Sequence, residues 1–162
     1  MNRHRVQELG DGTLPRCAFV GVYDGKMRTA DCLTAAVLEE WGRSFSSREL
    51  LGAWLYGSRA RGESRPDSDI DLAVLSDRPL DSVELFDAAG RLAGSLGATV
   101  DLVDLRQAGG LLKVEATHHG QPLVPISREA ALFAAHALAD HAAFAPRRRA
   151  ATQAFVEACR AR

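Results

Sequence analysis

The sequence predicts an α/β (α+β) domain: a small mixed sheet of three to four strands, with helices packed mainly on one face. Three observations carry this. Apolar residues recur at helical spacing over 29–43, 85–96 and beyond 127; β-type runs at 50–56, 70–75 and 98–105 lie between them; and turn residues punctuate each change of period.

Composition bounds what such a domain can be. The 162 residues suffice for one proper core and are too few for two substantial domains. With 46% hydrophobic and 25% charged residues the chain is an ordinary soluble protein, and a net charge of −1 gives no global positive field, so no stable DNA binding is expected. Cys17, Cys32 and Cys159 are odd in number and widely spaced, which reads as free thiols in a reducing cytoplasm. No apolar run approaches the ~20 residues of a membrane helix. The basic residues Arg3, His4 and Arg5 are followed by Glu8 and Asp11 rather than an apolar stretch, which argues against a signal peptide. A cytoplasmic protein is expected.

In chain order, residues 1–26 are the least interpretable. Residues 17–23 suit a short strand and Asp24-Gly25 a turn, while Met27 stands directly before a helical pattern. Two readings stay open: an accessory strand, or an upstream extension of a protein that starts at Met27. Leu33, Val37, Leu38 and Trp41 form the first helical stripe, with Glu39, Glu40 and Arg43 off it and Gly42 placed to end it. Residues 46–49 make a turn, and 50–56 a buried strand. After the strand at 70–75, Asp81 or Ser82 caps a helix whose stripe is Leu85, Ala89, Leu92 and Leu96, stopped by Gly97. The strand at 98–105 is ended by Gly109-Gly110, residues 111–117 look helical, and 123–126 form a short apolar segment. Ser127 then caps an Ala-rich helix with Leu132, Ala135, Leu138 and Ala142 on one side, broken or restarted at Pro146. The organisation is thus an extension (1–26), a core (27–126) and a helical tail (127–162).

The chemistry concentrates in 54–75. Residues two apart on a strand share a face, so Asp69 and Asp71 project together, and paired carboxylates suit a hard divalent cation. Upstream, Gly57 lets a phosphate approach the backbone, Ser58 offers a hydroxyl and an N–H, and Arg59 and Arg61 add positive charge. The pattern is G-S-x10-D-x-D: a phosphate cradle meeting a carboxylate pair, as nucleotidyl transfer requires. A third carboxylate comes from the strand at 98–105. Asp101 and Asp104 are three apart and face opposite ways, so only one can join.

Gly57-Ser58-Arg59-Ala60-Arg61-Gly62, Asp67-Ser68-Asp69-Ile70-Asp71-Leu72 and Val100-Asp101-Leu102-Val103 together resemble the minimal nucleotidyltransferases of the DNA polymerase beta-like superfamily. The motifs cover 50–105, the helical pattern extends the likeness over 27–144, and residues 1–26 have no counterpart. The resemblance implies a two-metal mechanism: Asp69, Asp71 and Asp101 hold two Mg2+ ions, Asp101 rather than Asp104 is the third carboxylate, and Gly57, Ser58, Arg59 and Arg61 bind ATP. It also implies a partner, a HEPN-domain RNase toxin, which the nucleotidyltransferase neutralises as antitoxin by moving AMP to a tyrosine hydroxyl. The short tail at 127–162 fits an acceptor presented by another macromolecule. Other classes remain: an antitoxin that acts by docking alone, and a stand-alone small-molecule or RNA nucleotidyltransferase. His118-His119 suits a helix end better than a metal site, and Arg147-Arg148-Arg149 suits a solvated face better than an acidic or RNA partner.

Overall fold

A seven-residue run that is apolar on both faces has to lie inside a sheet, and two such runs pair here at its centre. The computed structural model describes residues 29–65 and 68–160. In order these form α1 (Thr29–Ser44), β1 (Leu50–Tyr56), α2 (Gly57–Ala60), β2 (Ile70–Ser76), α3 (Ser82–Leu96), β3 (Val100–Asp104), α4 (Gly110–Val114) running into a π-turn (Glu115–His119), β4 (Gln121–Pro122) and α5 (Arg128–Arg160). The sheet order is β3-β2-β1-β4. β1 lies antiparallel to β2 and β4, and β2 lies parallel to β3 across the α3 crossover, so the sheet is mixed. The central strands β1 and β2 are buried almost throughout, whereas β3 alternates and β4 is exposed, as edge strands do.

Alternation sends two sets of side chains to opposite faces. Ala53, Leu55, Ile70, Leu72, Val74, Val100 and Leu102 meet α1 and α3 through Leu33, Val37, Trp41, Leu92 and Leu96. Trp54, Tyr56, Ala73, Leu75 and Leu105 face the other way, against Ala116, Ala130 and Phe133. A bulge between Leu50 and Gly52 brings Leu51 to this second face, and Gly52 is required there because a Cβ would sit 2.4 Å from the Trp54 ring.

Several boundaries and faces differ from expectation, each for a physical reason. Gly42 does not end α1, which continues to Ser44. Leu38 is half exposed and Glu40 is buried, the reverse of their expected sides. Glu40 tolerates burial because Arg91 (Nε, 2.8 Å), Arg43 (Nη1, 3.1 Å) and the Ser44 hydroxyl donate to its carboxylate, which ties α1 to α3. α3 follows expectation: the Asp81 carboxylate caps it by accepting from Val83 and Glu84 N–H, and Gly97 at φ 67° closes it. β3 stops at Asp104, and Gly109-Gly110 instead begin α4. α5 runs through Pro146 to Arg160 without a break. Its packed face is Ala130, Phe133, Ala134 and Ala137, while Leu132 and Leu138 of the expected stripe are exposed. In a helix with alanine on every side, apolar spacing does not select a face; Ala130 and Ala137 are chosen because small side chains let the helix approach the sheet. Cys159 is an exposed free thiol, Cys32 is half-buried in α1, Cys17 lies outside the described residues, and among those residues no helix is long and apolar enough to cross a membrane.

Asp104 is buried at the end of β3 and accepts from the N–H of Leu80 (3.0 Å), the N–H of Arg106 (2.9 Å) and the Gln107 side-chain amide (3.0 Å). It is the clasp between the β2–α3 connection and the chain after β3. Removing it orphans the buried Leu80 N–H, so Asp104→Ala is expected to cost about 3 kcal/mol in urea unfolding. Asp101→Ala, at an exposed position, should stay within ~0.5 kcal/mol of the parent or exceed it.

Candidate active site

The site grows from the turn where β1 ends. Tyr56 is the last strand residue, and Gly57 takes φ +69°, a region that costs any residue with a Cβ. Space demands the same residue: a Cβ on Gly57 would lie 2.0 Å from Oδ2 of Asp71. The chain then coils through α2, with the Arg61 N–H on the Gly57 carbonyl and the Glu63 N–H on the Ser58 carbonyl. The Ser58 hydroxyl makes no hydrogen bond to another described residue, so it remains available beside the glycine.

Register assembles the carboxylates. Asp71 pairs with Tyr56 on one side and with Asp101 on the other, so their side chains share one face of the sheet. Asp69 stands just before β2 and is exposed, as is Asp101, while Asp71 is half-buried. Among the described residues none of the three carboxylates accepts a hydrogen bond or forms a salt bridge, in contrast to Glu40 and Asp104. The electrostatics record this. Burial, then Asp101, then Asp69 push the Asp71 carboxyl above its usual range, against the pull of Arg59 and Arg61. Burial, then Asp101 and Asp71, push the Tyr56 phenol up to about 12.

The two arginines expected beside a phosphate are otherwise engaged. Arg59 Nε donates to the carbonyls of Ser68 (3.1 Å) and Asp69 (2.9 Å), and its Nη2 also donates to Ser68. Arg61 pairs with Glu63 (2.9 Å) and, across to the π-turn, with Glu115 (3.0 Å). Sequence reasoning misses Tyr56 and Glu115. Tyr56 reads as an ordinary strand residue until register sets it opposite Asp71, and Glu115 is 54 residues from Arg61, beyond any local pattern. His118 donates to the Ala134 carbonyl at 3.0 Å, joining the π-turn to α5. The side chains of Arg147, Arg148 and Arg149 lie outside those described.

Three carboxylates on one face are an all-oxygen donor set of the kind hard cations take. Among the described residues no three His, Cys, Asp or Glu side chains close on a single point. Magnesium does not need them to, since it is usually held by one or two carboxylates together with substrate phosphates. Asp69, Asp71 and Asp101 fit that mode.

Residues 43–129 match the family model "Polymerase beta, Nucleotidyltransferase". The chain is 38% identical over 81 residues to Protein adenylyltransferase MntA of Shewanella oneidensis, a match that spans 50% of this chain and 58% of that protein. It also resembles a solved toxin-antitoxin structure with AMP-PNP: TM-score 0.68, 28% identity, covering 76% of this chain and 98% of that one. A further likeness is to a tri-AMPylated Shewanella oneidensis HEPN toxin in complex with MNT antitoxin, with TM-score 0.65 and 25% identity, covering 79% of this chain and 99% of the matched one.

Two outcomes follow from this geometry. Gly57→Ala should lose about 1–2 kcal/mol in urea unfolding, and combining it with Asp71→Ala should recover the clash component but not the backbone strain, a non-additivity that a double-mutant cycle reads directly. Because the Asp71 carboxyl is raised in the fold, the folded state holds its proton more tightly than the unfolded chain, and stability falls as pH rises through that window from 3.8 upward. Asp71→Asn is therefore expected to raise the Tm of metal-free protein near pH ~7, with the gain vanishing by about pH 3.

Proposed function

The chain belongs to the polymerase beta nucleotidyltransferase family, and from that membership we propose that it is the antitoxin of a toxin-antitoxin pair, a Mg2+-dependent adenylyltransferase that moves AMP from ATP to a tyrosine hydroxyl of a HEPN RNase toxin. The observation that carries the proposal is the trio of Asp69, Asp71 and Asp101 beside the Gly57-Ser58 turn, Asp71 and Asp101 paired on one sheet face and Asp69 just before β2, without a hydrogen-bond or salt-bridge partner among the described residues. Supporting it are the adenylyltransferase named in the Shewanella oneidensis relative and the AMP-PNP and AMPylated-toxin complexes that the fold resembles.

In this reading Asp69 and Asp71, with Asp101, would hold two Mg2+ ions, which would supply charge neutralisation at the α-phosphate and the leaving pyrophosphate. Gly57 leaves the triphosphate room to approach the backbone, and Ser58 donates its hydroxyl and N–H to the β- and γ-phosphates. Asp101, exposed at the edge strand, takes the proton of the attacking tyrosine hydroxyl. The tyrosine oxygen bonds to the α-phosphorus in line, the bond to the bridging oxygen breaks, and pyrophosphate leaves. Tyr56 is a poor acceptor in its own right: with its phenol pushed up to about 12 it stays protonated next to Asp71 and Asp101. Residues 27–126 form the catalytic unit, 127–162 a helical tail, and the pair assembles in the cytoplasm; residues 1–26 lie outside those described.

Purified protein, ATP and Mg2+ mixed with the product of the neighbouring reading frame should give an AMP adduct on a tyrosine of that product, read by intact-mass and peptide mass spectrometry. Asp69→Asn should slow adduct formation by at least about 10²-fold, the equivalent of losing some 3 kcal/mol of transition-state stabilisation. A HEPN partner that stays unmodified by folded wild-type protein, yet is still neutralised by Asp69→Asn/Asp71→Asn, would transfer the function to docking alone.

A further inference from the structure

Of the three site carboxylates, two owe their position to the sheet. Asp71 is hydrogen-bonded within β2 between β1 and β3, and Asp101 lies within β3. Asp69 has this support on one side only: the Ile70 N–H that follows it donates to the Thr99 carbonyl (2.9 Å), but the strand begins at Ile70 and Asp69 is exposed. What holds the rest of its backbone is the Arg59 side chain, which crosses from α2 and sets one guanidinium against two consecutive carbonyls, those of Ser68 and Asp69. A planar guanidinium suits this task because its donors are fixed in a fork, and a residue whose preceding and own carbonyls are both held cannot turn freely about its backbone. The same approach is secured from the other side of the turn, where the Arg65 N–H donates to the Ser68 hydroxyl (2.8 Å) and the Ser68 N–H donates to the Arg65 carbonyl (3.1 Å).

We propose that Arg59 is a positioning residue for Asp69 and not a ligand of the triphosphate: its clamp on the Ser68 and Asp69 carbonyls gives the first carboxylate of the D-x-D pair the fixed backbone that the sheet gives the second. The inference rests on the reading of Asp69 as a metal ligand. It replaces the phosphate-binding role that the position of Arg59 next to Ser58 suggests from sequence, since its Nε and Nη2 donors are committed to these carbonyls. The Arg59 charge favours the ionised Asp71 carboxylate but repels a cation bound there, so a loss of Mn2+ affinity in Arg59→Ala reports the clamp and not the charge.

The test titrates full-length protein with Mn2+ alone and follows bound metal by electron paramagnetic resonance, comparing wild type, Arg59→Ala, Arg59→Lys and Asp69→Asn. Orientation by an outer residue sets the scale: Arg59→Ala should weaken Mn2+ by about 10- to 100-fold, and Arg59→Lys, whose ammonium reaches one carbonyl at a time, should recover part of that loss. Amide exchange should quicken at 68–70 and stay unchanged in β1, which separates local release from global unfolding. In the transfer reaction the Arg59→Ala defect should be relieved by raising Mg2+, with KM for ATP at saturating Mg2+ unchanged. Wild-type Mn2+ affinity in Arg59→Ala together with a raised KM for ATP would overturn the proposal and return Arg59 to the phosphates. Indistinguishable Mn2+ titrations of wild type and Asp69→Asn would instead overturn the metal-site reading itself, and the proposal with it.

Discussion

Like charges brought together on one surface repel, and the central constraint on this fold is the need to hold Asp69, Asp71 and Asp101 side by side with no salt bridge to them among the described residues. A flexible segment would relax that repulsion by turning its carboxylates away. The sheet prevents this for Asp71 and Asp101, because rotating either side chain to the other face would require a one-residue slip of register that exposes Ile70, Leu72, Val100 and Leu102. Hydrophobic burial on the α1/α3 face thus stabilises an electrostatic arrangement on the opposite face that is unfavourable by itself.

The treatment of the other buried acids makes the contrast clear. Glu40 and Asp104 are more deeply buried than any site carboxylate, yet each is surrounded by donors: arginines and a hydroxyl for Glu40, two N–H groups and an amide for Asp104. This sequence can therefore satisfy a buried acid where the fold needs one. Leaving Asp69, Asp71 and Asp101 unsatisfied matches a site whose counter-charge arrives with its substrate, and stability is held lower there than the chain could make it.

The strands, the α3 caps and the pairing of Asp69 with Asp71 are legible because each is encoded within a few residues: period-two alternation, an Asp before a helix, a Gly after it, a D-x-D repeat; Asp101 joins them only through the family resemblance and the cross-strand register. The opposition of Asp101 and Asp104 also follows from strand period alone. What escapes is decided by partners distant in sequence. Glu40 reads as solvent-facing until Arg91 is known to meet it from α3. The face of α5 is undetermined while alanines surround the helix, and the sheet chooses. Arg59 and Arg61 sit beside the phosphate cradle in sequence, but their partners, the carbonyls of Ser68 and Asp69 and the Glu115 carboxylate, are set by folding.

The site has a floor and a wall, and both rest on the core. The floor is the ladder of β1, β2 and β3. The wall is the π-turn Glu115–His119, a rare geometry that is frequent at functional sites. One end of the wall is pinned by contact: at Gly120 a Cβ would meet the Ala116 carbonyl at 2.2 Å and the Leu55 carbonyl at 3.0 Å, so the chain there lies directly on β1. The other end is tied to α2 through Arg61 and Glu115, whose side chains are 46% and 36% exposed, and ion pairs so open to water contribute little. The residues on either side of Glu115, Val114 and Ala116, are buried, and Ala116 packs on the second face of the sheet, so the wall is seated on the core and only the Arg61–Glu115 pair is left to water. Breaking that pair therefore costs the fold little and leaves both the carboxylate face and the core in place.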